Sequence, residues 1–473
     1  MTNLKRTGQR WLAPSLIIAA CGALVSCAVG PNYKRPDLAV PSGYKEPATP
    51  STGLPAIGSD WWTLFNDPAL TKLAQETMAA NLDIKAAIAR VDQAHDVTLS
   101  AMGSFFPAIT SSSTARRTGG AAGTSGTTYT LPVSLNYEVD LWGHLRRQYE
   151  SSKNSEQATA DDLEFARQTA VANLAQAYFN IRLFDQQIAA FEEALVLYNK
   201  QLDLTETKFK AGLALPTDRL QAINQVDDAT NQLIEVKRSR AKQEHAIAIL
   251  LGRPPSDLSL EHAPLTTQIP VVPTSLPITL LSRRPDVASA EHRLAAANAQ
   301  VGVAVANFFP TFSLNNTSLS FVSNNLNNLV EWERRTWSEG AGLSLSIFQG
   351  GQQSAALAQA KARYQELVAT YRSAVLGAFR DIEDQLSDLQ LLADKTQSLE
   401  KTLANARENA RLTEIQYQQG LTTYLQVITT NQTLLTNELS AAQAQSQRLS
   451  ATVLLIKALG GGWPGETSPA RKS

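Results

Sequence analysis

The residues that could support catalysis or metal binding in this chain are few and widely spaced. Its five histidines are His95, His144, His245, His262 and His292, and no two of them stand at metal-ligand spacing on one predicted helix face. No catalytic triad, phosphate-binding glycine loop or pair of catalytic carboxylates is recognisable in the sequence. We therefore predict no enzymatic activity, no catalytic residues, no metal site and no dissociable cofactor.

Both cysteines lie near the N-terminus and belong to a predicted targeting segment. A basic start (residues 1–10) precedes the apolar stretch Leu12–Leu24, which is too short to span a bilayer as a mature helix. Leu24-Val25-Ser26-Cys27 then resembles the bacterial lipobox, in which cleavage before the cysteine leaves its thiol to carry diacylglycerol. We expect a lipoprotein signal peptide over 1–26 and a lipid on Cys27. A signal peptide cut by ordinary signal peptidase near Ser26 is the alternative.

The composition of the chain excludes some classes of partner. With 42 basic and 43 acidic residues the formal net charge is −1, which gives no electrostatic basis for binding nucleic acid. Aromatic residues make up only 7% of the chain, which favours long polar helices over a compact core. Beyond the signal segment no stretch approaches about eighteen consecutive apolar residues, so the sequence predicts no transmembrane helix in the mature chain.

The chain contains an internal duplication. Phe105-Phe106-Pro107 recurs as Phe308-Phe309-Pro310 at an offset of 203, and Gly212-Leu213 recurs as Gly420-Leu421 at an offset of 208. Several matches at nearly constant offset indicate two repeats in register. The predicted segments are a lipidated arm over 27–60, a first repeat over 61–252, a Pro-rich linker over 253–274, a second repeat over 275–460 and a tail over 461–473.

Each repeat has the same predicted order of elements. One helix (67–103 or 284–306) comes first, two strands follow, and a very long helix (145–211 or 352–419) comes after them. Each of these long helices would extend about 100 Å, since a helix rises 1.5 Å per residue. Apolar residues follow steps of three and four along them, as in a coiled coil, except where Asp185 interrupts the first. An ordinary coiled-coil rod has the same periodicity.

The strands distinguish this chain from a plain rod. Apolar and polar residues alternate over Tyr129–Asp140 and again over Trp337–Ile347, whereas 107–117 and 310–322 are less clear. Such alternation is typical of a transmembrane barrel, although a half-buried soluble sheet shows it too. About eight strands are the fewest that close a barrel, so four per chain require other subunits. Three chains would supply twelve strands.

At this point the sequence resembles the TolC-like outer membrane efflux family, and within it the NodT-type lipoproteins of RND efflux systems. The resemblance extends from about Cys27 to Trp463. It rests on an opening motif at Trp61–Leu70, on Asp140-Leu141-Trp142-Gly143 after the first strand pair and on Ile347-Phe348-Gln349-Gly350-Gly351 after the second.

The resemblance implies a fold class and a function. The fold would be that of an α+β membrane protein, in which a trimeric 12-stranded β-barrel is continued by a 12-helix α-barrel. The chain would passively export small molecules from the cell outer membrane, anchored by its lipid and extending into the periplasm. Its partners would be two further copies of itself, outer membrane lipid, a periplasmic adaptor and an inner-membrane RND pump. A duct for type I protein secretion and a lipid-anchored periplasmic coiled-coil scaffold are the alternatives.

The resemblance also places functional residues at the helical turns. Adaptor contacts are expected at the two turns, on Lys210, Gly212, Leu213, Gln418, Gly420 and Leu421. Constriction rings are expected at Leu425, Gln426 and Thr429. Some family members carry aspartates at the latter two positions, and this chain has no acidic residue there, so it departs from the acidic gate of those members. Leu425 would then form an apolar ring that excludes water, unless it is a core residue of its hairpin. Asp218 is the candidate for an acidic ring in the first repeat.

Overall fold

The structure is a computed structural model of the chain. It describes residues 28–38, 41, 43–46, 57–119, 125–265, 268–272 and 283–463. The predicted signal peptide and its lipidation site, Cys27, lie outside these residues. The chain divides into two compact units, each built from three separate segments. The first unit comprises Met1–Leu38, Ala89–Ala160 and Ser289–Ser373, and the second comprises Ala39–Ile88, Asp161–Ala288 and Ala374–Ser473.

Two helices stand where the sequence predicted one helix over 67–103. A short 3-10 turn precedes α1 (Pro68–Ala80), and α2 (Leu82–Gly103) follows after a break at Asn81. The break arises because the Asn81 Oδ1 accepts a hydrogen bond from the Ile84 amide at 3.0 Å, as an N-capping residue does. Its Nδ2 also donates to the Leu250 carbonyl at 2.9 Å, which ties the break to the end of another helix.

Four long helices form two helical hairpins. They are α3 (His144–Lys210) with α4 (Pro216–Leu250), and α6 (Gln352–Gln418) with α7 (Tyr424–Ala458). Both α3 and α6 have 67 residues, and both α4 and α7 have 35. The remaining long helix, α5 (Pro285–Ala306), opens the second repeat. Among the described residues, no helix is both long enough and apolar enough to cross a bilayer.

The core of the second unit lies where several helices meet. Trp61, Trp62 and Phe65 of the 3-10 turn are buried there against Tyr178 and Phe179 of α3. Buried side chains of α1, α4, α6 and α7 complete the same cluster, as does Leu265 of the inter-repeat linker. The two tryptophans therefore pack inside the protein rather than serving as aromatic residues at a membrane interface.

All six strands of the first unit belong to one antiparallel sheet. The strands are β1 (Ala108–Ser111), β2 (Thr114–Gly119), β3 (Ser125–Val139), β4 (Thr311–Ser323), β5 (Arg335–Ser338) and β6 (Gly342–Ser344). β1 and β2 both pair with β3, β5 and β6 both pair with β4, and β3 pairs with β4. The two repeats thus each contribute one hairpin, joined through their long central strands, and the short strands form the two outer edges.

The fourth predicted strand, 337–347, is shorter than expected. It appears as β5 and β6 with an interruption, and Leu345 and Ile347 are not in a strand. Glycines at 340 and 342 weaken this segment, and no strand of the described part of the chain pairs with its outer side. Within β1, β2 and β3 every residue is exposed or half-buried. Among the described residues, no layer therefore covers these strands, as one would in a half-buried soluble sheet.

Candidate functional site

The two helical hairpins end in matching turns. Gly212 follows α3 with φ +73°, and Gly420 follows α6 with φ +74°. In the first turn the amide of Leu213 donates to the Lys208 carbonyl, and in the second the amide of Leu421 donates to the Gln416 carbonyl, both at 2.8 Å. This six-to-one hydrogen bond around a left-handed glycine is the Schellman arrangement, and it explains why both repeats need glycine at this position.

The predicted adaptor-contact residues all lie on the surface of these turns. Leu213 is 78% exposed and Leu421 is 72% exposed, and Lys210 and Gln418 are exposed as well. In a Schellman turn the residue after the glycine commonly packs back onto its helix, but here neither leucine is covered in this way. The first hairpin therefore presents Leu213 together with Leu215, which is 64% exposed, at its end, and the second presents Leu421.

Beneath the turns, aromatic and charged residues fasten the four helices together. Tyr417 of α6 packs on Tyr424 of α7 with ring centroids 5.6 Å apart, and the Lys208 Nζ of α3 lies 3.8 Å from the Tyr417 ring centroid. Arg219 of α4 donates to Glu206 of α3 at 2.5 Å. Burial raises the pKa of Tyr424 to about 12, so the phenol stays neutral. These contacts hold the turns at a fixed place on the helix ends.

The predicted constriction residues occupy the first turns of the returning helices. Leu425 is 58% exposed, and Gln426 and Thr429 on the same face of α7 are exposed too. Leu425 is therefore not a core residue of its hairpin, which was the alternative interpretation. In the first repeat the Asp218 Oδ2 accepts a hydrogen bond from the Leu215 amide at 3.2 Å and so caps the start of α4. That contact already gives the Asp218 carboxylate a structural role.

Sequence reasoning missed the roles of several buried charged residues, among them Asp185 and Arg147. Asp185, which appeared only as an interruption of the heptad pattern, receives hydrogen bonds from Arg182 at 2.9 Å and from Arg240 at 2.6 Å. Arg147 is 4% exposed and contacts the N-terminal arm. An interruption in an apolar stripe was the one available signal for Asp185. No local pattern marked the role of Arg147, because its partners on the arm lie more than a hundred residues away in sequence.

An edge-open antiparallel sheet, together with long paired helical hairpins that end in exposed matching turns, defines a class of outer membrane channels. The model of the outer membrane efflux protein family matches residues 73–253 and again residues 276–461. The chain belongs to this family. It is an outer membrane component of an efflux system, and the family and fold class predicted from the sequence are confirmed.

Relatives of the chain match it over nearly its whole length. It is 32% identical over 461 residues to the pyoverdine export outer membrane protein OpmQ of Pseudomonas aeruginosa, a match that covers 94% of this chain and 96% of OpmQ. It is 28% identical over 449 residues to nodulation protein T of Rhizobium leguminosarum bv. trifolii, covering 93% and 95%. The solved structure of the outer-membrane channel OprN covers 92% of this chain and 100% of its own, with a TM-score of 0.84 and 30% identity.

Proposed function

We propose that three copies of this chain form a continuous passive duct. The observation that carries the proposal is the sheet with two open edges, formed by β1 and β2 on one side and by β5 and β6 on the other. Unpaired backbone groups at such edges are costly in hydrocarbon, so each edge needs a strand from another copy. Since β1 with β2, and β5 with β6, each act as one interrupted strand, a chain supplies four strands and three chains give a twelve-stranded barrel. Their twelve hairpin helices continue it as an α-barrel into the periplasm.

The lipid on Cys27 anchors the chain to the outer membrane in this proposal. The sequence Leu24-Val25-Ser26-Cys27 supports the lipid attachment. A passive duct has no energy source of its own, and membership of an efflux family implies partners that supply it. A periplasmic adaptor and an inner-membrane RND pump fill this role, and the pump selects the small molecules exported.

The adaptor docks on the hairpin turns. Exposed leucines with polar neighbours suit a protein partner, because a small apolar anchor loses water on contact while polar residues form the rim. The predicted anchors are Leu213 at the first turn, where Leu215 is exposed too, and Leu421 at the second. Lys210 and Gln418 lie beside them. Threefold symmetry would present three copies of each turn, so weak single contacts would add through multivalency.

A double substitution tests this docking site. Leu213→Glu with Leu421→Glu places a charge at the centre of both turns, and we expect adaptor co-purification to be lost while the chain still folds. The control is Leu391→Glu, because Leu391 on α6 is 62% exposed and lies away from the turns. Unchanged adaptor recovery from the double variant, with the control also unchanged, would reject the turns as the docking site.

A further inference from the structure

A buried arginine of α3 binds the first described residues of the N-terminal arm. The Arg147 guanidinium donates to the Asn32 Oδ1 at 2.7 Å and to the Val29 and Gly30 carbonyls at 3.3 and 3.4 Å. It also pairs with Glu150 at 2.7 Å. The planar guanidinium holds several donors in a fixed fork, which allows one side chain to bind several groups of an extended segment.

The arm crosses α5 at a point where no side chains intervene. A Cβ at Gly30 would lie 2.6 Å from the Gly302 Cα, so the two backbones touch at this crossing. The same Cβ at Gly302 would lie 2.9 Å from the Arg147 side chain. One residue farther along the arm, the Pro31 carbonyl accepts a hydrogen bond from the Asn298 Nδ2 at 2.9 Å. Two glycines, Gly30 and Gly302, and two polar side chains, Arg147 and Asn298, therefore form the seat of the arm, the site in which residues 29–32 lie.

The beginning of the arm is fixed at the end of the sheet. The Val29 amide donates to the Trp142 carbonyl at 2.9 Å, and a Cβ at Gly143 would lie 2.7 Å from the Ala28 Cα. Trp142 and Gly143 are the residues that connect β3 to α3. The first described residues of the arm therefore lie beside the end of β3.

A second set of contacts holds the far end of the seated segment. Arg35 forms a two-pronged ion pair with Glu291 of α5 at 2.7 and 2.6 Å, and the Tyr33 hydroxyl donates to the same carboxylate at 3.4 Å. Burial, with the nearby Glu291 carboxylate, raises the pKa of Tyr33, so its hydroxyl keeps the proton that it donates. An extended segment without regular structure loses conformational entropy when it is fixed, so contacts of this kind are needed to hold it.

We propose that Arg147 seats the arm and thereby fixes the lipid-bearing end of the chain at the junction between β3 and α3. The proposal rests on the lipidation of Cys27. The lipid is then part of the folded structure rather than the end of a loose tether, and the partner surface is the inner leaflet at the ends of the strands. Arg147 acts as a positioning residue for the anchor.

Trypsin cleavage within the arm measures how firmly it is seated. Lys34 is exposed, but a protease needs several extended residues free of their contacts, so cleavage after Lys34 reports release of the arm. In the purified trimer we expect Arg147→Leu to raise the rate of this cleavage about tenfold, the scale of losing hydrogen bonds to a charged group. Arg167→Leu is the control, since Arg167 on the same helix has the same kind of pair, with Glu164 at 2.6 Å.

A cycle of substitutions separates arm seating from general damage. Asn32→Ala removes the side-chain acceptor on the arm. As a single substitution it should raise the cleavage rate, but combined with Arg147→Leu it should raise the rate little further. Thermal unfolding of the helices should be similar in Asn32→Ala and the wild type. Independent, additive effects of the two substitutions, or a wild-type cleavage rate in Arg147→Leu, would overturn the proposal.

Incorporation of labelled palmitate tests the lipidation of Cys27 separately from the seating of the arm by Arg147. A wild-type chain that incorporates no label shows that Cys27 is not lipidated, and the anchor proposal fails while the cleavage comparison still measures the seat. A labelled chain in which Arg147→Leu is cleaved no faster than the wild type shows that the lipid is present but that Arg147 does not seat the arm.

Discussion

Leu425 is the residue at which an apolar gate can be tested most directly. It lies in the first turn of α7 with its side chain 58% exposed, so packing against the described residues does not account for an apolar residue there. Three copies brought together by threefold symmetry would form a dry ring, since a narrow apolar constriction excludes water and ions. We expect Leu425→Ser to increase single-channel conductance in bilayers severalfold and to increase antibiotic leakage into cells.

The matched control for this gate is Leu391→Ser. Leu391 has a similar exposure on α6 but lies far from the turn, so the same chemical change there should leave conductance unaltered. If Leu425→Ser conducts no better than the wild type, the apolar ring is not the constriction. An acidic ring at Asp218 would then be the next candidate, although the carboxylate already caps α4.

Single residues were predictable from the sequence only where their partners are local. Gly212 and Gly420 were recognisable because a glycine at the end of a long helix indicates a left-handed turn. Gly462 was not, because its requirement comes from a distant residue. A Cβ at Gly462 would lie 2.0 Å from the Gly58 carbonyl oxygen. Such crowding depends on the folded chain.

At the scale of elements, Asp185 joins a helical hairpin to the linker between the repeats. It binds Arg182 of α3 and Arg240 of α4, and the two guanidinium groups also donate to the Glu261 and Leu260 carbonyls. Asp185→Ala would leave the buried Arg182 without its carboxylate, and Arg240 with Glu244 alone, at 3.3 Å. We expect the free energy of unfolding to fall by roughly 3–5 kcal/mol, the range measured when one partner of a buried ion pair is removed.

Asp384→Ala is the comparison for this effect. Asp384 pairs with Arg380 at 4.0 Å on the exposed face of α6, where solvent screens the charges, and its loss should cost about 0–1 kcal/mol. Urea unfolding in detergent, followed by helical circular dichroism, measures both variants. Equal stability of the two variants would mean that the buried cluster contributes nothing beyond an ordinary surface pair.

Helices were more accurately predicted than strands for a physical reason. The absence of glycine and proline over 145–211, and a single glycine over 352–419, indicated the long helices, whose hydrogen bonds are satisfied locally. β5 and β6 fell short of the predicted 337–347 because an edge strand is stabilised by its neighbours. In the proposed trimer, the alternating residues 337–347 would pair on their outer side with a strand of another copy of the chain.

At the scale of the whole molecule, the order of the strands determines how copies must join. The outer edges of the sheet belong to different repeats, with β1 and β2 from the first and β5 and β6 from the second. A closed ring of identical copies must therefore bring the first-repeat edge of one chain to the second-repeat edge of the next. This head-to-tail contact differs from a twofold dimer, in which the same edge would meet itself.

Crosslinking can test this order. Ile109 in β1 and Leu343 in β6 are similarly exposed, at 70% and 69%, and the natural cysteines lie only in the N-terminal segment. We expect a chain carrying Ile109→Cys and Leu343→Cys, treated with a flexible bifunctional maleimide, to give covalent dimers and trimers. Either substitution alone should give almost none, because like positions are separated by a whole sheet. Dimers from a single variant would indicate a twofold contact, and links confined to one chain would contradict closure by neighbouring copies.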